Sequence, residues 1–133
     1  VGYSARTNAY NGTARDNMNV AVGYEALKGS AIPADNTGIY NTALGAQALL
    51  NNSAGHSNES VGFASLSNNS TGTGNTSSGK ASMFSNTVGF KNTAVGMEAL
   101  YSNLSGSGNV AVGGNTLYSS TTVSDQTAIG DSD

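Results

Sequence analysis

The chain has 133 residues and a net charge of −3, and only 10 % of its residues are charged, well below the usual quarter. Five Lys and Arg against eight Asp and Glu leave too few cations for a phosphate-backbone footprint, so nucleic acid is not expected as a partner. There is no cysteine, which excludes a disulfide framework and a thiolate zinc site. No run reaches the ~18 apolar residues of a membrane-spanning helix, so no membrane insertion is expected.

Gly, with 18 copies, and Asn, with 17, dominate alongside Ser and Thr. Such a composition suits a disordered chain, but a disordered chain has no reason to hold Ala, Val and Leu in fixed columns. The first residue is Val1 and no signal peptide is visible, so a segment of a longer polypeptide is expected.

From the N-terminus, residues 1–40 are irregular. A Val-Gly step stands at Gly2 and a second at Gly23; residues 6–16, "RTNAYNGTARD", and residues 28–35, "KGSAIPAD", read as insertions. The equivalent glycine is Gly45 in the next copy, and Gly62, Gly79, Gly96, Gly113 and Gly130 then follow at intervals of 17 residues. Residues 1–133 are therefore expected to form one repeat domain, regular over 41–130.

Other columns keep phase with these glycines. Four residues before them stand Asn41, Asn58, Asn75, Asn92 and Asn109, with Gln126 last. Two before come Ala43, Ser60, Ser77, Ala94 and Ala111; one before come Val22, Leu44, Val61, Val95, Val112 and Ile129, with Ser78 as the exception. Four after come Leu27, Leu49, Leu66, Met83, Leu100 and Leu117, and ten after a second glycine recurs at Gly55, Gly72, Gly89 and Gly106.

A 17-residue period fits one turn of a solenoid, with two short strands of about five residues and two bends. The N-x-A-V-G segment is the first expected strand, the glycine permits the bend, and the segment around Ala99-Leu100-Tyr101-Ser102 is the second. Asn above Asn can form a side-chain ladder. About seven coils at ~4.8 Å would make a rod on the order of 35 Å long. The helix formers in "AVGYEALKGS" and "TALGAQALLNN" are the rival signal, but recurrent Gly, Asn, Ser and Thr leave no stretch of useful helical length. The expected class is all-β, a parallel β-roll or β-solenoid.

In the first strand the Ala column and the Val column lie on opposite faces. A coil this thin cannot bury both. One face is expected to line the coil and the other to pack on a neighbouring subunit, because an apolar stripe along a rod invites aggregation.

"NVAVGYEAL", "NTALGAQALL", "NTAVGMEALYSNLSGSGNVAVG" and "QTAIGDSD" resemble the head repeats of trimeric autotransporter adhesins and, more closely, related repeats of phage and bacterial tail-fibre proteins. The resemblance spans roughly Met18 to Gly130. It implies a left-handed β-roll, three chains wound into one rod, an extracellular place on a virion tail fibre or a bacterial surface, and a surface glycan or protein as receptor. The adhesin heads usually have repeats shorter than 17, which favours the fibre branch.

The chemistry-bearing residues are sparse. His56, in "AGHSN", reads as a solvated bend residue without a ligand partner in sequence. Asp16, Glu25, Asp35, Glu59, Glu98, Asp125, Asp131 and Asp133 are scattered, with no calcium loop and no evident carboxylate pair. No cofactor, metal or catalytic residue is expected. The six-residue aliphatic period of β-helix acyltransferases is absent. Thr42, Thr76, Thr93 and Thr127 share a column that an ice-binding array could use, but Glu59 interrupts it. Phe84, Tyr101 and Tyr118 share one aromatic column, and Tyr3, Tyr24 and Phe63 another; they could hold sugar rings or pack between chains. The insert at residues 29–35 is a candidate recognition loop. A non-catalytic fibre segment for attachment is the first expectation. A filament stacked head to tail is the second, and an enzyme with an intersubunit site the third.

Overall fold

The computed structural model describes residues 18–131. Each three-residue segment ahead of a described anchor glycine is a strand: β1 Val20–Val22, β2 Thr42–Leu44, β3 Glu59–Val61, β4 Thr76–Ser78, β5 Thr93–Val95, β6 Val110–Val112 and β7 Thr127–Ile129. They form one sheet in chain order, and every described pairing is parallel, like column on like: Ser60 on Ser77, Ala94 on Ala111, Val95 on Val112. Consecutive parallel strands require the chain to circle back between them, so each repeat is one turn of a solenoid. The molecule is an all-β parallel β-solenoid with about five turns of 17 residues, after a longer turn between β1 and β2. The seventh coil expected from the sequence, around Gly2 and Tyr3, and the insertion at 6–16 lie outside the described residues. Helix is confined, among the described residues, to one 3-10 turn at Pro33–Asp35.

The strands are shorter than expected, and the segment after each anchor is not a second strand. Its backbone alternates in hand. φ is +57° at Glu98 and +52° at Leu100, and Gln47 and Leu49, Ala64 and Leu66, and Ala81 and Met83 repeat the pattern. Coil-to-coil bonds persist through it. Leu66 N–H donates to Ser82 O at 3.0 Å and Met83 N–H to Ala99 O at 2.9 Å, while Ala81 N–H reaches back to Phe63 O at 2.8 Å. The alternation curls the chain around a corner without giving up axial hydrogen bonds, which an extended strand could not do within 17 residues. The left-handed region is closed to β-branched side chains, and these columns hold Glu, Gln, Ala, Asn, Leu and Met, never Val, Ile or Thr.

The interior has an apolar half and a polar half. Leu27, Leu49, Leu66, Met83 and Leu100 are fully buried beside the Ala column. Where Ser replaces Ala, hydroxyls link up: Ser65 Oγ donates to Ser77 Oγ at 2.7 Å, and Ser77 Oγ to Ser82 O at 3.0 Å. On the polar side the predicted Asn column forms a ladder. Asn75 Nδ2 donates to Asn58 Oδ1 at 3.2 Å and to Gly89 O at 2.8 Å, and its N–H donates to Asn58 Oδ1 at 3.0 Å. A second ladder stands beside it: Asn69 to Asn52, Asn86 to Asn69 and Asn103 to Asn86, each 2.8 Å. The second-column glycines join the two. Gly89 O accepts from Asn75 of one ladder and Asn86 of the other, one bond for each carbonyl lone pair. Buried polar groups are thus paired along nearly the whole axis, as a polar interior requires.

Candidate functional site

The anchors Gly23, Gly45, Gly62, Gly79, Gly96 and Gly113 each press against the anchor of the next coil. A Cβ built on Gly96 would lie 2.5 Å from Gly113 O. At Gly130 nothing stands within 4 Å. Of the predicted core column, Leu27, Leu49, Leu66 and Leu100 are buried and Leu117 is partly covered. Asn41, Asn58, Asn75, Asn92 and Asn109 are all buried. All of these belong to the scaffold.

The surface the scaffold displays is the outer face of the sheet. In each strand the middle residue points in and its two neighbours point out, as the burial of Ala94 at 0 % beside Val95 at 40 % exposed shows. Val22, Leu44, Val95 and Ile129 are exposed, and Val61 and Val112 half-buried. Just past the glycine bend, Tyr24, Phe63 and Met97 extend the same face, with Phe63 53 % and Met97 50 % exposed. Together they make an apolar face about 30 Å long and ~13 Å wide, on the order of 400 Å², interrupted at its middle coil by Ser78 and Lys80. The Thr column runs along its far side, half-buried at Thr42, Thr76 and Thr93 and interrupted by the exposed Glu59.

A second apolar line was not anticipated. Ile39, Tyr40, Val88, Phe90, Leu104 and Val123 are all exposed on the segment flanking the second-column glycines. No single column carries it, since its members are spread over neighbouring positions of the repeat, so periodicity alone hides it. The second Asn ladder was also missed, although Asn recurs three residues before Gly55, Gly72, Gly89 and Gly106.

Phe84, Tyr101 and Tyr118 stack on one another, with ring centroids 5.3 and 4.9 Å apart and planes within 8°. Tyr101 has both ring faces covered in this way, and Phe84 and Tyr118 one each. The loop of the longer turn is pinned at its base: Asn36 Nδ2 donates to Ser30 O at 2.9 Å and Ser30 N–H to Asn36 Oδ1 at 2.8 Å. Ala31, Ile32, Ala34 and Asp35 are exposed beyond it.

His56 is exposed, with Ser57 Oγ 3.5 Å from its Nδ1. Asp16 and Asp133 lie outside the described residues. Lys28 Nζ lies 2.8 Å from Glu25 Oε1; that hydrogen bond, helped by Gln47, holds the Glu25 carboxyl below its ordinary value against the opposing effect of desolvation. Among the described residues no group of three or more His, Asp or Glu side chains is arranged to hold a metal ion, and no helix is long and apolar enough to cross a membrane.

No protein-family model, curated protein or solved structure matches the chain.

Proposed function

We propose that this chain is a non-catalytic structural and adhesive segment of an extracellular fibre, a tail fibre or a surface-adhesin head or shaft, built as a homotrimer and used for attachment to a cell surface. The observation that carries the reading is the outer face of the sheet. All-parallel sheets are ordinarily covered on both faces. Here the solenoid covers one face, and the other offers Val, Leu, Phe and Met to solvent. An apolar face of a few hundred Å² is of the size that often serves as an interaction surface.

Two unlike apolar lines favour a cyclic assembly. A two-fold dimer joins one patch to itself, whereas head-to-tail rings join two different patches. The resemblance of the N-T-A-V-G repeats to adhesin heads and tail-fibre repeats points the same way. In this reading the stacked ladders supply stiffness, and the exposed Ala31, Ile32, Ala34 and Asp35 and neighbouring segments meet a surface glycan or protein.

A self-assembling filament with coil ends stacking head to tail is the second reading, since the end coils of any β-solenoid offer strand edges that can pair between subunits. Light scattering at several concentrations separates the two. The expected result is a fixed mass of three chains. A single-chain mass overturns the trimer, and a mass that grows with concentration transfers the proposal to the filament. Binding of the labelled protein to cells and to immobilised glycans tests attachment; uniform failure on both removes the adhesive part of the reading.

A further inference from the structure

We infer that the notch at Gly108 is a binding site for one acidic sugar residue: Lys91 takes the sugar's carboxylate, Asp125 and Ser124 its hydroxyls, and Phe90 the apolar face of its ring. This rests on the attachment reading above and deepens it, giving that reading a site and a ligand class. It does not depend on how many chains assemble.

Two neighbouring columns of the repeat meet here. One carries Phe90, Ser107 and Ser124, the next Lys91, Gly108 and Asp125. Axial bonds keep them in step: Lys91 N–H donates to Thr73 O at 2.9 Å, Gly108 N–H to Phe90 O at 3.1 Å and Asp125 N–H to Ser107 O at 2.9 Å. Lys91 and Asp125 therefore stand two coils apart, ~10 Å, with Gly108 between them. The backbone of this column is left-handed, yet Tyr40, Ser57, Lys91 and Asp125 meet that demand with side chains. At Gly108 the missing side chain leaves an open cavity of about 380 Å³, lined by Phe90, Lys91, Ser107, Gly108, Ser124 and Asp125. Ligand pockets begin at about 300 Å³.

The walls differ in chemistry. Phe90 is exposed and gives one apolar wall. Asp125 leans into the gap, since a Cβ on Gly108 would overlap its Oδ1. Lys91 and Asp125 are exposed, and the ion pair recorded among the described residues is Lys28 with Glu25, so both charges are open to a ligand. Ser107 Oγ accepts Phe90 N–H and Ser124 Oγ accepts Ser107 N–H, each at 3.0 Å. The backbone thus fixes both oxygens, and the Ser124 hydroxyl can still donate its proton.

A pyranose offers the complement, an apolar C–H face with hydroxyls round its rim. An aromatic ring supplies apolar surface for such a face, and a few placed polar groups set the orientation. A hydroxyl donating to a carboxylate makes a charge-assisted bond, roughly twice as strong as a neutral one. The ammonium at the far end adds a preference for a sugar that carries a carboxylate; a neutral sugar leaves it unused.

The test titrates methyl glycosides of glucuronic acid and of N-acetylneuraminic acid into 15N-labelled protein at constant ionic strength, with methyl glucoside as the neutral control. The amides of Phe90, Lys91, Ser107, Gly108 and Asp125 are expected to shift saturably with at least one acidic sugar. A Kd on the order of 1 mM suits a small ligand with few contacts, and the neutral sugar is expected to bind about tenfold more weakly. Gly108→Asn fills the notch with a residue type that tolerates the left-handed region, and it is expected to abolish the shifts. Lys91→Gly puts there the residue that Gly74 and Gly108 already place in the column, and it is expected to erase the preference for the acidic sugar. Thermal unfolding checks that both variants fold. Silent amides overturn the site, also where a neighbour packed on the second apolar line covers Phe90. Shifts that acetate reproduces, or a folded Gly108→Asn protein that still binds, overturn it as well. Attachment to cells or immobilised glycans with a silent notch removes the site and leaves attachment standing; failure in all three assays removes both.

Discussion

Gly96 has φ +133°, and a Cβ there would meet Gly113 O at 2.5 Å. Backbone strain and overlap with unyielding main chain add. Gly96→Ala is expected to cost at least ~3 kcal/mol, read as a lower urea midpoint; a shift under ~1 kcal/mol would mean the coils are spaced more loosely than described. Asn75 acts through its neighbours. Its Oδ1 accepts from Asn92 N–H at 3.0 Å and from Asn92 Nδ2 at 3.2 Å. Truncation to Ala orphans a buried N–H, at about 2–3 kcal/mol with the cavity included. Asn103 is the control, because its Oδ1 has no partner: the ladder stops there, with Ser120 in the next place. Asn103→Ala is expected to cost less than Asn75→Ala in the same urea series, and the opposite order would refute the ladder as the source of the energy.

At the scale of one turn, the repeat is a three-residue strand followed by corners in which left-handed residues recur. One corner column holds Tyr40, Ser57, Gly74, Lys91, Gly108 and Asp125, all at positive φ, from +55° at Lys91 to +70° at Gly108. Two coils already use glycine there, and a non-glycine residue in this region costs ~1–2 kcal/mol. Lys91 is exposed and its side chain fills no core. Lys91→Gly is therefore expected to stabilise the coil by up to about 1 kcal/mol once the unfolded-state entropy of glycine is subtracted, seen as a raised thermal midpoint. A lower midpoint would show that the Lys91 side chain holds contacts worth more than the strain it imposes.

For the whole molecule, the sheet turns Ala43, Ser60, Ser77, Ala94 and Ala111 inward, and no described residue covers its outer face. A charge at the centre of that outer face separates fold from assembly. Val95→Asp changes a residue that is 40 % exposed in the single chain, so the coil is expected to fold with a loss under ~1 kcal/mol. The same carboxylate would be buried in an assembly, and the mass by light scattering is expected to fall from three chains to one. An unchanged mass would place the contacts elsewhere, on the line of Ile39, Val88, Phe90 and Leu104.

The period of 17, the columns and the parallel β-solenoid were legible in the amino-acid order, because each turn repeats the same local chemistry and stacking needs like on like. Asn75 and Ser77 announce a strand with a polar interior as plainly as Asn92 and Ala94 announce one with an apolar interior. The corner after each glycine was not legible. Ala-Leu-Tyr-Ser carries ordinary strand and helix formers, and the alternation of hand at Glu98 and Leu100 is imposed by closing the coil within 17 residues. The only trace in sequence is negative, the lack of β-branched residues at those columns. The second apolar line belongs to the tertiary structure as well. Ile39, Val88, Phe90 and Leu104 occupy different positions in their repeats, and only the winding of the chain brings them to one side.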